Sequence, residues 1–271
     1  MRIRFAGVRG SWPRTAPRFA QYGGDTTCLQ VTPRVGPTVF VDAGTGITAA
    51  AELLPRPGGD LLLLLTHTHH DHLQGFPSLS PLYEPGWRLT VAAPEFVPAK
   101  AAVRKLMEPP LWPLALDSLR STVAFRQLSA VFAWGSLEIR HLAVPHPGTC
   151  AAYRLDESGG GSLVFATDIE WAAWDDAGRA AFARFCREPR PVDLLVMDGQ
   201  FTDEEIPARR GWGHSSLGDC VAAARAGGAG RLLTTHHSPD RDDAAMVAVE
   251  ATLATLLAGA AAARQGQELE L

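Results

Sequence analysis

The chain has 271 residues, of which 46% are hydrophobic and 20% are charged, and its formal net charge is −4. This composition is ordinary for a soluble globular protein, and the negative charge argues against a general nucleic-acid binder, which is usually basic. No uncharged apolar run reaches the ~18 residues of a membrane span. The N-terminus lacks the apolar core of a signal peptide, so we expect a cytoplasmic protein.

Short Leu- and Val-rich runs recur along the chain and mostly end in Gly, Pro, Asp or His, which predicts strands. The N-terminus reads as a strand and a loop, and eight further strands are predicted at 38–44, 60–66, 88–94, 137–145, 151–155, 162–168, 193–199 and 231–237. Alanine-rich stretches with helical periodicity predict helices at 46–54, 98–107, 175–186, 215–228 and 242–264. The polar tail, residues 264–271, is expected to fray. Alternating strands and helices predict an α/β architecture, in one domain over residues 1–271.

Residues 61–75 read LLLLLTHTHHDHLQG and place a polar cluster directly after the most apolar segment of the chain. The leucine run fits a buried strand, and sites in α/β sheets form beyond the carboxyl ends of strands. The cluster offers His67, His69, Asp71 and His72, whose imidazole and carboxylate groups suit zinc and related metals. Four ligands within six residues are difficult to arrange around one ion, whereas two ions could share them.

More titratable residues lie at or near other predicted strand ends. They are His146 in VPHPG, Asp168 in FATDIE, His214 in GWGHSS, and His236 and His237 in TTHHSP. A single histidine is usually structural, but several at strand ends beside a dense motif favour a shared site. His141 lies inside a predicted strand and is interpreted as structural.

The segment THTHHDH resembles the HxHxDH signature of the metallo-β-lactamase fold superfamily, and His146, Asp168 and His236 follow in that family's order. Further stretches, including GVRGSWP, YGGDTTC, VDAGTGI and HPGTCAAYRL, are similar to a branch that contains ribonuclease Z and the cyclic phosphodiesterase of phosphonate breakdown. The resemblance implies an α/β fold of the four-layer αββα sandwich type. It also implies two divalent metal ions in a cleft between the sheet edges, with zinc expected and manganese or iron as alternatives.

The resemblance implies seven metal ligands: His67, His69 and His146 for the first ion, Asp71, His72 and His236 for the second, and Asp168 between them. His237 competes with its neighbour for the last histidine position, and His70 occupies a variable position of the motif. The segment GHSS resembles the Gly-His-Ser-Thr segment of ribonuclease Z-like enzymes, in which the histidine faces the phosphate and pairs with a carboxylate. Asp198 stands where that carboxylate, a Glu in ribonuclease Z, is expected. We predict that His214, Asp71 and Asp198 are catalytic.

These observations predict a dinuclear metal-dependent hydrolase, a phosphodiesterase of small or cyclic phosphodiesters. Two metals would activate water and neutralise phosphate, and His214 would protonate the leaving oxygen. The alternatives are an ester, lactone or thioester hydrolase of the same fold, ribonuclease Z-like RNA processing, and a metal-bound regulatory module. Nucleic acid is a less favoured partner than a small molecule because of the negative charge and the absence of a long Gly/Lys-rich insertion. No membrane partner is expected, and a homodimer is left open.

Overall fold

The strands of the computed structural model, which describes residues 1–271, form two seven-stranded sheets. In spatial order, the first sheet contains β14 (Glu268–Glu270), β1 (Arg2–Gly7), β2 (Cys28–Thr32), β3 (Val39–Val41), β4 (Gly59–Leu64), β5 (Trp87–Ala93) and β6 (Thr122–Gln127). The second contains β13 (Ala261–Ala262), β12 (Leu232–Thr235), β11 (Leu194–Asp198), β10 (Ser162–Ala166), β9 (Cys150–Glu157), β8 (Leu137–Val144) and β7 (Val131–Trp134). In each sheet, one half is parallel and the other antiparallel.

Helices cover the outer face of each sheet. They are α1 (Ile47–Glu52), α2 (Ala99–Leu106), α3 (Asp176–Arg187), α4 (Leu217–Gly227) and α5 (Asp243–Leu256). Short 3-10 helices lie in the loops at Pro17–Phe19, His70–His72, Phe76–Ser78, Ser80–Tyr83, Leu116–Ser118, Trp171–Ala173 and Ile206–Ala208. No helix combines the length and the apolar character that crossing a membrane would require.

The leucine run in β4 shows why the layers stack in this order. Leu61, Leu63 and Leu65 belong to the apolar cluster between the first sheet and helices α1 and α2. Leu62 and Leu64 belong to the cluster between the two sheets. Successive side chains of a strand point to opposite faces, so a strand that is buried on both faces is apolar throughout. A third cluster joins the second sheet to helices α3, α4 and α5, and the αββα sandwich predicted for the chain is the observed fold.

The C-terminal region differs from the prediction. The last helix ends at Leu256 instead of continuing to residue 264, and Gly259, with φ of 82°, lies in the turn that precedes β13. The tail that was expected to fray forms β14, which pairs antiparallel with β1. This pairing satisfies the backbone edge of β1, which would otherwise be open to further strand addition.

All eight apolar runs predicted as strands form strands, and the N-terminal strand is β1. Strands β2, β6 and β7 were not predicted. β6 and β7 are the edges of their sheets and have alternating, partly exposed side chains, so they lack the continuous apolar character of the central strands. The four cysteines are buried and unpaired.

Candidate metal centre

The histidines and carboxylates of the predicted site meet at one rim of the sandwich. His67 and His69 follow β4 of the first sheet, whereas His146, Asp168 and His236 follow β8, β10 and β12 of the second. Asp71 and His72 lie in the 3-10 helix His70–His72. The rim therefore receives ligands from both sheets, and neither sheet could assemble the cluster alone.

The ligand atoms form two compact groups. In the first, atoms of His67, His69, His146 and Asp168 lie within 4.8 Å of one another, and in the second, atoms of Asp71, His72 and His236 do so. The first group contains the three histidines implied for one ion together with Asp168, and the second contains the three residues implied for the other ion. A further set within the same limit consists of Asp168, Asp198, His214 and His236.

Asp168 lies between the two groups, and its two oxygens face different histidines. Oδ1 is 3.8 Å from His67 Nε2 and 3.7 Å from His146 Nε2. Oδ2 is 3.1 Å from His72 Nε2 and 3.4 Å from His236 Nε2. A carboxylate with one oxygen toward each group has the arrangement that a bridging ligand needs.

The hydrogen bonds of three histidines fix which ring nitrogen is free. His146 Nδ1 donates to the Gly213 carbonyl at 2.9 Å, and His72 Nδ1 donates to Asp42 Oδ2 at 2.8 Å. Thr66 Oγ1 gives its only hydrogen to Asp42, so His67 Nδ1 must donate to that hydroxyl at 3.0 Å. Each ring therefore carries its proton on Nδ1 and presents an unprotonated Nε2 when it is neutral.

A divalent cation fits this donor set. His67 Nε2 is buried and has no hydrogen-bond partner, and buried polar atoms seldom lack one. His69 Nδ1 and His146 Nε2 converge to 3.0 Å. Imidazole nitrogens with carboxylate oxygens are ligands for zinc and its neighbours in the transition series.

The pKa values of the clustered histidines and carboxylates are shifted by burial and by one another. Burial, together with the nearby His72, lowers the pKa of His67 well below its ordinary value. Burial alone would also lower the pKa of His72, but the Asp168, Asp71 and Asp42 carboxylates hold it well above that value. Burial would raise the pKa of Asp168, yet the neighbouring histidines keep it well below its usual range. Without a cation, a proton on His72 balances the carboxylates, and a metal ion would displace it.

Asp42 is the residue that the sequence analysis missed. Its carboxylate is fully buried at the end of β3 and accepts hydrogen bonds from Thr66 N at 2.8 Å and from His72 Nδ1 at 2.8 Å. Carboxylates in this position orient metal-binding histidines and strengthen them as ligands. The signal in the sequence is the aspartate of VDAG, which lies at the carboxyl end of an apolar strand, as Asp168 and Asp198 do.

Backbone strain is concentrated at this site. Five non-glycine residues have positive φ angles, and three of them are Asp42, Asp168 and His236, with φ of 64°, 52° and 58°. A fourth, Ser11, donates its backbone N–H to Asp71 Oδ2 at 2.8 Å. Such conformations cost about 1–3 kcal/mol each and cluster at functional sites.

Of the two neighbouring histidines near the C-terminus, the geometry favours His236. Its Nε2 is 3.2 Å from Asp71 Oδ2. His237 instead donates from Nε2 to the Ala263 carbonyl at 2.8 Å, and burial lowers its pKa to about 3. His70, at the variable position of the motif, is exposed and belongs to neither ligand group.

His214 and Asp198 form a pair beside the cluster. His214 Nδ1 is 2.6 Å from Asp198 Oδ2, so the aspartate reaches the histidine although ribonuclease Z has the longer Glu there. Gln200 N donates to the other carboxylate oxygen at 2.9 Å. The His214 ring stacks on that of His236, with 5.0 Å between centroids. His214 therefore lies against one ligand group with its Nε2 not engaged by Asp198.

The shared fold extends to several solved structures. A diphosphatase from the PhnP family is 18% identical with a TM-score of 0.73, covering 100% of this chain and 97% of that chain. Zn²⁺-bound PqqB from Methylobacterium extorquens is 18% identical with a TM-score of 0.71, covering 100% of each chain. The short form of human tRNase Z is 17% identical with a TM-score of 0.69, covering 99% of this chain and 98% of that chain. At sequence identities of 17–18%, the structural similarity establishes only that these proteins share a fold.

A comparison with curated protein sequences finds no match. The family profile described as the β-lactamase superfamily domain, however, matches residues 38–237, which is most of the chain and spans the whole histidine cluster. Together with the sandwich of two sheets and the His/Asp cluster at its rim, this match shows that the chain belongs to the β-lactamase superfamily, with the metallo-β-lactamase fold of metal-dependent hydrolases.

Proposed function

We propose that this chain is a dinuclear metal-dependent phosphodiesterase that acts on small or cyclic phosphodiesters. The observation that carries the proposal is the His214–Asp198 pair, which adjoins the metal ligands without duplicating them. Such a pair is suited to hold and transfer a proton next to the reacting group.

In this proposal, one ion would be held by His67, His69 and His146, the other would be held by Asp71, His72 and His236, and Asp168 would be shared between the two sites. When bound, two divalent ions neutralise the charge of the substrate phosphate and lower the pKa of water at the site. Asp42 keeps the His72 proton on Nδ1, so that Nε2 remains the ligand atom. Zinc is the first expectation for these donors.

His214 is proposed to act as the general acid. Its Nδ1 lies 2.6 Å from Asp198 Oδ2, and this contact fixes the orientation of the ring and leaves Nε2 free. In the proposed step, water oxygen bonds to phosphorus, the bond from phosphorus to the leaving oxygen breaks, and a proton on His214 Nε2 passes to that leaving oxygen. Asp71 stays ionised because His72 and His236 outweigh the effect of burial and lower its pKa.

The test is a substrate screen on the metal-loaded protein with bis-p-nitrophenyl phosphate, cyclic nucleotides, lactones and thioesters. We expect turnover of the phosphodiesters, abolished by chelation and by Asp168→Ala. The control for each compound is the chelated wild-type protein, which reports background hydrolysis. Faster turnover of a lactone or thioester than of every phosphodiester would replace this proposal with the ester hydrolase alternative.

A further inference from the structure

We propose that Trp12 and Trp212 form an aromatic subsite beside the metal centre that binds the base of a nucleoside-containing phosphodiester. The inference rests on the proposed phosphodiesterase activity and adds which part of the substrate is recognised. The starting observation is exposure, since Trp12 is 50% and Trp212 55% exposed. The other five of the chain's seven tryptophans are buried or half-buried.

Trp12 belongs to a loop that is fixed against the metal ligands. Its neighbour Ser11 donates a backbone hydrogen bond to Asp71 Oδ2 at 2.8 Å. Gly10 packs so tightly that a Cβ atom there would lie 2.4 Å from His236 Nδ1. Trp12 therefore follows a backbone segment that is held against the cluster.

Trp212 belongs to a second loop that is fixed to the same cluster. The next residue, Gly213, accepts the hydrogen bond from His146 Nδ1 at 2.9 Å. The Phe201 ring lies 6.3 Å from Trp212 and 5.8 Å from His214, measured between ring centroids. Trp212 thus continues a row of rings that begins at the proposed general acid.

Gln200 and its neighbour Phe201 connect the two loops, since Gln200 contacts Ser11 of the first loop and the Phe201 ring lies near Trp212 of the second. Gln200 Nε2 donates to Ser11 Oγ at 3.3 Å and lies 3.4 Å from His236 Nδ1. Both loops therefore lie beside the stacked rings of His236 and His214. Neither side chain is required for the metal ligands or for the core, since about half of each surface faces solvent.

Arginines near the tryptophans could attract an anionic ligand. Segments 10–18 and 207–214 contain four arginines and no acidic residue, in a chain whose net charge is −4. The nearby Glu170 carboxylate is engaged by Gly211 N at 2.8 Å and Gly213 N at 2.9 Å. The Arg209 guanidinium lies 4.7 Å from the centre of the Trp212 ring. Exposed aromatic rings among arginines bind nucleotides by stacking on the base while the cations attract the phosphate. A nucleoside phosphodiester combines these two features.

The test compares the binding of adenosine 5′-monophosphate and ribose 5-phosphate to the metal-loaded protein by titration calorimetry. Both are phosphate monoesters, and only the first carries a base. We expect the base to strengthen binding roughly 5- to 150-fold, the range for one stacked base. Trp212→Ala and Trp12→Ala should each reduce this advantage, whereas Trp212→Phe should retain most of it. Leu111→Ala, which removes an exposed apolar side chain of another loop, is the matched control.

Equal affinities for the two compounds in the wild-type protein would overturn the proposal, and so would an unchanged affinity ratio in both alanine variants. A kinetic arm compares 2′,3′-cyclic AMP with glycerol 1,2-cyclic phosphate, and the alanine variants should raise KM for the nucleotide alone. If the wild-type protein hydrolyses neither compound, the phosphodiesterase proposal fails. The subsite is then judged only from the ratio of the affinities for adenosine 5′-monophosphate and ribose 5-phosphate. If the wild-type protein hydrolyses both compounds but the alanine substitutions leave the affinity ratio unchanged, only the subsite proposal is wrong.

Discussion

Asp42→Asn tests whether the fully buried Asp42 carboxylate orients His72 as a metal ligand. The substitution preserves the volume of the side chain and one carbonyl oxygen, which can still accept from Thr66 N. The oxygen that accepts from His72 Nδ1 at 2.8 Å becomes an NH₂ group, which cannot accept a hydrogen bond. If the amide rotates to restore that acceptor, its NH₂ group faces Thr66 N instead. An amide N–H facing Nδ1 favours the tautomer with the proton on Nε2, which removes the lone pair that a metal ion needs.

The magnitude follows from this single contact. Loss of a carboxylate that orients a metal-binding histidine typically costs 10- to 100-fold in metal affinity, or about 1.4–2.7 kcal/mol. Removing the negative charge also lowers the proton affinity of His72, which by itself would aid metal binding. We expect the tautomer effect to dominate because burial leaves the ring no other partner for Nδ1. Asp42→Ala would additionally leave buried donors unpaired, at about 1–3 kcal/mol each, so the Asn variant is the cleaner probe.

The assay is competition for zinc between the protein and a chromophoric chelator. The matched control is Asp193→Asn, because Asp193 accepts from Ser162 N at 2.8 Å and from Ser162 Oγ at 3.0 Å, as Asp42 accepts from Thr66, but lies outside the cluster. We expect weaker binding of one ion in Asp42→Asn and unchanged binding in the control. If Asp42→Asn binds both ions with wild-type affinity, the assigned role of Asp42 is wrong.

Three further groups of outcomes are expected, which concern the catalytic variants, the metal content and the dependence on pH. His214→Ala should retain both metals and lose roughly 10²–10⁴-fold in turnover of an unactivated phosphodiester, with a smaller loss for a p-nitrophenyl ester. Asp168→Ala should lose metal as well as activity. Full activity of His214→Ala on the unactivated substrate would exclude a general acid role. Elemental analysis should find two divalent ions per chain, and chelation should lower the melting temperature because the ions bind only the native state; a stoichiometry of one or less after metal soaking would contradict the dinuclear assignment. Burial would lower the pKa of His236, but the nearby carboxylates raise it to about 9, so zinc affinity should increase with pH up to about 9. The metal-free protein should lose the stability contributed by this imidazolium as the pH rises from about 6.5 to about 9, and equal zinc affinities at pH 6 and pH 9 would contradict the competition between proton and metal.

The sequence by itself was sufficient for the fold class and for most members of the cluster. The apolar runs specify strands because a strand that is buried on both faces must be apolar at every position, as β4 is. The dense histidine motif after β4, and the isolated His146 and Asp168 at later strand ends, are local signals that can be read without coordinates. The His214–Asp198 pairing was also predicted, on a resemblance between short segments, and the two side chains are in contact.

Other features were decided only by the tertiary structure, because they depend on which segments become neighbours. Asp42 contacts Thr66 and His72 because β3 and β4 pair in parallel with Val41 opposite Leu64, a register that no local pattern encodes. The tail becomes β14 because β1 presents an unpaired backbone edge, although the tail itself is polar and has a weak strand pattern. The choice between His236 and His237 is the clearest case, since two identical neighbours in the chain carry the same chemistry. Their side chains leave the end of β12 in different directions, and only the packing of both sheets determines which one meets Asp71 and Asp168.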